Sequence, residues 1–255
     1  MRNVLAIARK DLKIYFLTPI GYLVITVFVG IMSWMFCAAL FEFLKRSQAF
    51  MQFGGGMAEM NVNAMVMQPV LGNMAVIFLF LVSLMTMRLL AEERKMRTLE
   101  LLLTSPLHPL EIVLGKFLSV LLLFSVMLAL TLIYPLILTI FGSIDIKQVL
   151  AGYLGVFLLG ASFLSFGLFI SALTENQITA GALTFGLFLF FWIISWLSGP
   201  SNSMEGQLLS YISIIDHLSN FIRGLIDTKD IVYYISFIAF GLFLTHQSLE
   251  SYRWR

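Results

Sequence analysis

Charged residues divide the 255-residue chain into long apolar blocks. Stretches free of Asp, Glu, Lys and Arg occupy 14–41, 60–87, 117–144, 148–174, 176–204 and 231–249, each 19 to 29 residues long, whereas the next longest, 47–58, has 12. A helix needs ~20 apolar residues to cross a bilayer core, so the pattern predicts six transmembrane helices. Trimmed of turn residues, they fall at 20–41, 69–90, 117–141, 149–173, 178–197 and 231–249. The expected fold is an all-α polytopic membrane protein, one transmembrane domain over 1–255.

Composition agrees: 60% of residues are apolar and 12% charged, too few charges to coat a water-facing globule. A single cysteine, Cys37, excludes an internal disulfide and a zinc site built on cysteines. The net charge of +2 comes from small scattered groups of basic residues, not from the stripe that nucleic acid would require.

Six spans put both termini on one side. That side collects Arg2, Arg9, Lys10, Lys13, Arg88, Arg94, Lys95, Arg97, Lys116, Arg253 and Arg255, eleven basic residues against five (Lys45, Arg46, Lys147, Arg223 and Lys229) on the other. Positive residues stay inside, so both termini and the 91–116 segment are expected in the cytoplasm, with the protein in the inner (cytoplasmic) membrane. Residues 1–18 do not read as a cleaved signal, because Arg9, Lys10, Asp11 and Lys13 interrupt the apolar run. On a helical wheel Leu5, Ala8, Leu12, Tyr15 and Phe16 oppose Arg2, Lys10 and Lys13, the pattern of a helix lying in the membrane interface.

Two segments between spans stand out. At 98–105, Leu99, Leu102 and Leu103 repeat at helical spacing, with Thr98 as N-cap and Pro106 as the stop. So short a helix is marginal alone; its leucines suit either lipid headgroups or a groove in a partner. The second segment, 205–227, is too apolar for a wet loop and, with Asp216, His217 and Arg223, too polar to span. It is expected to re-enter the outer leaflet as an outer gate or a static lid, since irregular backbone at that depth needs protein or a water-lined cavity around it. Asp227 and Asp230 suit the N-terminus of the last helix, where the dipole favours negative charge.

The remaining chemistry is sparse. Met51, Met57, Met60, Met65 and Met67 crowd the first outer loop; thioethers suit Cu(I), and they also fill apolar gaps. No charge sits mid-span, which disfavours an ion-coupled transporter. Gly115-Lys116 lacks the following Ser or Thr of a phosphate-binding loop, so nucleotide chemistry belongs to another chain. Ser162 in the fourth span and His246 in the sixth evoke a rhomboid-type intramembrane protease. Phe163, however, replaces the expected glycine, and the two residues lie at depths ~9 Å apart. Ser162, Gly160, Gly167 and Ser171 read equally as small residues that let helices approach closely. An ATP-independent membrane protein is a further alternative.

The run Arg88-Leu-Leu-Ala-Glu-Glu-Arg-Lys-Met-Arg-Thr-Leu-Glu-Leu-Leu-Leu-Thr-Ser-Pro106, followed by Glu111-Ile-Val-Leu-Gly-Lys116, resembles the loop between the second and third spans of ABC-2 type transporter permeases. The order of spans, the basic start and the re-entrant segment agree with it. Through Asp216-His-Leu-Ser-Asn-Phe-Ile-Arg-Gly-Leu-Ile-Asp227 the chain looks most like the permeases of the gliding-motility-associated and nitrous-oxide-reductase-maturation group. Met96 stands where such loops more often have Ser or Glu, and Arg97 where Gly is usual. The resemblance implies a permease without catalytic residues, cofactor or metal of its own, paired with a second permease chain as a homodimer or heterodimer. It implies two cytoplasmic ABC ATPase subunits carrying ATP and Mg, contact with membrane lipids, and in some systems an accessory substrate-binding subunit. Residues 1–18 would be the connecting helix and 98–105 the coupling helix. Glu92, Glu93, Arg94, Arg97, Thr98, Leu99, Leu102, Leu103, Thr104 and Ser105 would serve the ATPase contact. Asp216, His217 and Arg223 would serve the outer gate. The family moves lipids, polysaccharides, drugs and other cargo outward, so the substrate class stays open.

The basic asymmetry predicts a topology. In a Cys37→Ser background, a cysteine at Ser47 is expected to react with an impermeant maleimide in intact cells and one at Thr104 to stay unlabelled; labelling of Thr104→Cys from outside overturns the arrangement.

Overall fold

The computed structural model describes residues 2–52, 61–100, 107–141, 144–197, 211 and 213–253. Among these, every regular element is a helix. In chain order they are α1 (Arg2–Leu17), α2 (Pro19–Gln52), a π-helical turn (Asn63–Met67) running into α3 (Gln68–Thr86), α4 (Ala91–Lys95), α5 (Pro109–Thr131), α6 (Ile133–Phe141), α7 (Ile146–Leu173), α8 (Gln177–Leu197), α9 (Ile214–Ile222) and α10 (Thr228–Arg253). Six segments are long and apolar enough to cross a membrane: Gly21–Ala49, Asn63–Lys95, Pro109–Ile140, Ile146–Leu173, Gln177–Ser195 and Thr228–Tyr252.

Several helices outrun their charge-free blocks. α2 continues past residue 41 to Gln52, where Glu42 and Arg46 pair one turn apart on its surface. The third span starts eight residues before 117, at Pro109, and includes Lys116, which is buried and paired with acids from elsewhere in the chain. Counting charges ends a span at its first ion; a compensated ion does not end the helix.

α7 is the central post, the most buried of the six spans, packed against α3, α5, α8, α9 and α10. Its small residues permit this. A Cβ on Gly160 would fall 2.0 Å from the Phe124 ring of α5, and one on Gly167 would fall 2.3 Å from Thr86 Oγ1 of α3. Phe124 in turn meets Phe78, which stacks on Phe28 of α2, so the aromatic core radiates from the groove that glycine leaves in α7.

The break between α5 and α6 has a local cause. Pro135 has no N–H to offer the carbonyl of Thr131, its partner four residues back. Tyr153 of α7 supplies the missing donor, its hydroxyl lying 2.8 Å from that carbonyl oxygen.

The two ends of α7 define the two ends of the bundle. Its C-terminal residues Ser171 and Ala172 meet the 87–95 segment, while its N-terminal residues Gln148, Gly152 and Gly155 meet α9. Asn63 adds to the second end, donating to the Asp145 carbonyl and to Gln148 Oε1, and Gln148 donates to the Ile222 carbonyl.

Tyr153→Phe leaves a buried carbonyl unsatisfied and is expected to lower stability by about 1–3 kcal/mol. Gly160→Val, which must displace the Phe124 ring, is expected to lower it further. Thermal unfolding in detergent checks both, and a Gly160→Val chain as stable as the parent contradicts the packing account.

Candidate functional site: the coupling end

The end of the bundle at the α7 C-terminus holds most of the ion pairs of the interior. Lys116 Nζ on α5 lies 2.7 Å from Glu93 Oε1 on α4 and 3.3 Å from Asp11 Oδ2 on α1, with its side chain only 4% exposed. One ammonium thus joins three elements. α1 is brought close by Gly115, whose missing Cβ would sit 2.8 Å from Ile7, and is fixed at its start by Asn3, which donates to both oxygens of Glu111. Further along, the Tyr15 hydroxyl donates to the Met85 carbonyl at 2.9 Å. Burial, reinforced by the nearby Asp11 carboxylate, pushes the Tyr15 phenol well above its ordinary range, so it remains a donor.

α1 therefore turns Ala8, Asp11, Tyr15 and Phe16 toward the protein and leaves Leu5, Ile14 and Leu17 exposed beside Arg2, Arg9, Lys10 and Lys13. Leu5, which the helical wheel groups with the apolar face, is on the outward side; the inward face is completed by Asp11, because Lys116 neutralises it.

The loop after α3 is stapled to α7 by one hydroxyl. Ser171 Oγ accepts from the backbone N–H groups of Leu90 and Ala91 at 3.0 and 3.1 Å, satisfying donors that the start of α4 would otherwise leave unpaired. Arg94 donates to the Ala172 carbonyl and lies over the Tyr252 ring of α10, 4.8 Å from its centroid. Arg88 and Glu92 pair one turn apart. Glu93 Oε2 and Arg94 Nε are buried with no hydrogen-bond partner among the described residues.

After α4 the chain reverses through Arg97 at φ 56°, a left-handed conformation that glycine adopts without strain. Arg97, at the position where the resemblance leads to an expectation of Gly, thus holds a conformation that glycine favours. Lys95, Met96, Arg97 and Thr98 are exposed, and the Thr98 hydroxyl reaches back to the Glu93 carbonyl. Leu99 is buried at 1% exposure. Of the residues expected to contact an ATPase, Glu92, Glu93, Arg94 and Leu99 thus contact this chain, and Arg97 and Thr98 face outward. Leu102, Leu103, Thr104 and Ser105 lie outside the described residues.

Residues 56–244 match the family described as ABC-2 family transporter protein. The chain belongs to the ABC-2 transporter family. It is a membrane-spanning permease component of an ABC transporter, a role that carries no catalysis of its own, and the family implies association with ABC ATPases. No curated protein matches the chain.

The geometry gives the protease alternative no support. In the permease Ser162 Oγ donates to the Leu158 carbonyl within its own helix, and His246 faces Glu250 at 3.8 Å. Of the outer-loop methionines, Met67 is buried in the hydrophobic core, and Met57 and Met60 lie outside the described residues.

At the opposite end, α9 begins at Ser213, whose hydroxyl accepts the Asp216 N–H, and buries Ile214, His217, Leu218 and Phe221 against α7 and α10. Of the expected gate residues, His217 is buried, Asp216 is half-buried and Arg223 is exposed. Asp230 does more than complement a helix dipole: it is fully buried and bonded to His217 and Asn220. Sequence reasoning passed over Lys116, Asp11 and Ser171, although a lysine at the edge of an apolar block was the available signal.

Removing Lys116 strands two buried carboxylates. Lys116→Met is expected to destabilise the permease by about 3–5 kcal/mol, and adding Asp11→Asn and Glu93→Gln to recover most of the loss, because an apolar or neutral replacement of a whole buried ionic group is nearly neutral. Arg97→Gly is expected to stabilise by up to about 1 kcal/mol. Thermal unfolding of the four proteins decides.

Proposed function

We propose that this permease is the transmembrane half of an ATP-driven exporter, operating with a second permease chain and two cytoplasmic ABC ATPases that carry ATP and Mg. The observation that carries the reading is the loop 87–100, fastened inward by Ser171, Glu93, Arg94 and Leu99 while Lys95, Met96, Arg97 and Thr98 are presented outward. A partner that moves the outward face moves α5, α7 and α10 together, since each is bonded to the same loop, and moves α1 through Lys116, which holds Asp11 as well as Glu93.

In this reading the coupling end and both termini are cytoplasmic and the α9 end is outer, in the cell's inner membrane. ATP binding draws the two ATPases together, the 98–105 helices follow, and the spans shift between two packings, a change driven by the ATPases' differential affinity for the two states. Cargo leaves through the outer end, closed at rest by the 205–227 segments of the two copies. The eleven-to-five basic asymmetry and the family's association with ABC ATPases support the orientation and the partner.

Purification from native membranes tests the reading. A stoichiometric ABC ATPase is expected to accompany the permease, with hydrolysis stimulated by the complex. Leu102→Asp, which places a carboxylate in an apolar seat, is expected to reduce that stimulation at least about tenfold. Purification without any ATPase, or full stimulation by Leu102→Asp, contradicts the proposal.

A further inference from the structure

His217 projects from α9 toward the start of α10, where its side chain is 7% exposed and both ring nitrogens meet acceptors. Nδ1 lies 2.6 Å from Asp230 Oδ1, and Nε2 lies 3.1 Å from the Tyr211 carbonyl oxygen. The second oxygen of Asp230 accepts from Asn220 Nδ2 at 2.9 Å. A neutral imidazole has one N–H and would set a lone pair against one of these oxygens; an imidazolium has a donor for each.

The charge balance points the same way. Asp230 is 0% exposed, and a buried ionised carboxylate is costly unless it is paired and hydrogen-bonded. Among the described residues packed around α9, α3 and α8 carry no ionisable group, and α7 contributes only exposed Lys147 and Tyr153, whose hydroxyl is committed to Thr131. On α10, Lys229 is paired with exposed Asp227, and Tyr233 and Tyr234 present their rings. On α9 itself Asp216 adds a second acid and Arg223 is exposed at the far end. His217 is the group left to neutralise Asp230. The Tyr233 ring, stacked 4.1 Å from the imidazole, favours the same cation.

We propose that His217 is a proton-binding latch, its imidazolium tying the head of the last span, through Asp230, to the Tyr211 backbone that leads into α9. Loss of the proton gives up the bond to Tyr211 and leaves Asp230 uncompensated, so α9 loosens. The latched form binds one proton more than the released form, so raising the pH opposes latching. Assigning the latch to the outer gate rests on the orientation proposed above, whereas the latch itself requires neither ATPase nor cargo.

The test uses the full chain in lipid nanodiscs without nucleotide. Backbone hydrogen exchange of α9 and the residues before it is followed at about pH 5.5 and about pH 8, the window in which histidine changes charge, after correction for intrinsic exchange. Protection of the first turn of α9 is expected to fall about tenfold at the higher pH, with α7 unchanged. His217→Gln and Asp230→Asn are each expected to abolish the difference. The chain has three histidines, His108, His217 and His246, so ring-nitrogen NMR of labelled protein, assigned with His217→Gln, is expected to show His217 as an imidazolium at the lower pH. That measurement stands even if Asp230→Asn fails to fold. A neutral His217 tautomer at the lower pH, pH-independent protection in the parent, or an undiminished pH effect in His217→Gln overturns the latch. Failure of an ATPase to copurify leaves the latch standing and removes only its place in transport.

Discussion

A single ammonium group, Lys116 Nζ, holds the coupling end together. It bridges carboxylates from a helix that begins the chain and a loop some eighty residues later, in surroundings where its side chain is 4% exposed. A buried lysine without partners would lose several kcal/mol of hydration, and so would either acid; the three are stable only in each other's company. That mutual dependence ties three elements, α1, α4 and α5, into one joint. In the proposed coupling to an ATPase such a joint would pass a displacement on to the spans, where a soft loop would absorb it.

The rest of the bundle links this joint to the opposite end of the permease. α7 touches the coupling loop through Ser171 and Ala172 and touches α9 through Gly152 and Gly155, roughly 30 Å away at 1.5 Å per residue. Its glycines place Phe124 and Thr86 against backbone, a close-packed contact of the kind that shifts between discrete arrangements and does not deform smoothly. At the far end Asn63, Gln148 and Ile222 form one hydrogen-bonded set, and His217, Asp230 and Asn220 form another. The buried ion pairs among the described residues thus lie at the two ends, with aromatic and aliphatic side chains and scattered hydroxyls such as Ser162 and Ser165 between them.

The six spans could be read from the sequence because uncompensated charges do not enter a bilayer core, so gaps between charges mark helices. The same rule does not give the ends of the helices. Lys116 and the Glu42–Arg46 pair looked like boundaries, yet the helices run on through both, Lys116 buried against acids and the exposed pair on the helix surface. The loop was conspicuous through Glu92, Glu93, Arg94 and Leu99, yet residue type does not carry direction: whether Glu93 faces a partner or Lys116 depends on where α5 begins. Ser171 looked like a small packing residue, and its capping of Leu90 and Ala91 comes from contacts eighty positions apart that no local pattern encodes. Arg97 was visible as a departure from the expected glycine, and its φ of 56° is a conformation that glycine favours.

The central claim is that α1 and the coupling loop move as one body because Lys116 joins them. Spin labels on Arg9→Cys and Lys95→Cys, both exposed positions on the two elements, in a Cys37→Ser background, give the distance between them by electron–electron resonance in the lipid-embedded complex. The account predicts one narrow distance, the same with and without trapped ATP, that broadens when Lys116→Met is added. A distance that changes with nucleotide while Lys116 is intact, or one that Lys116→Met leaves narrow, contradicts it.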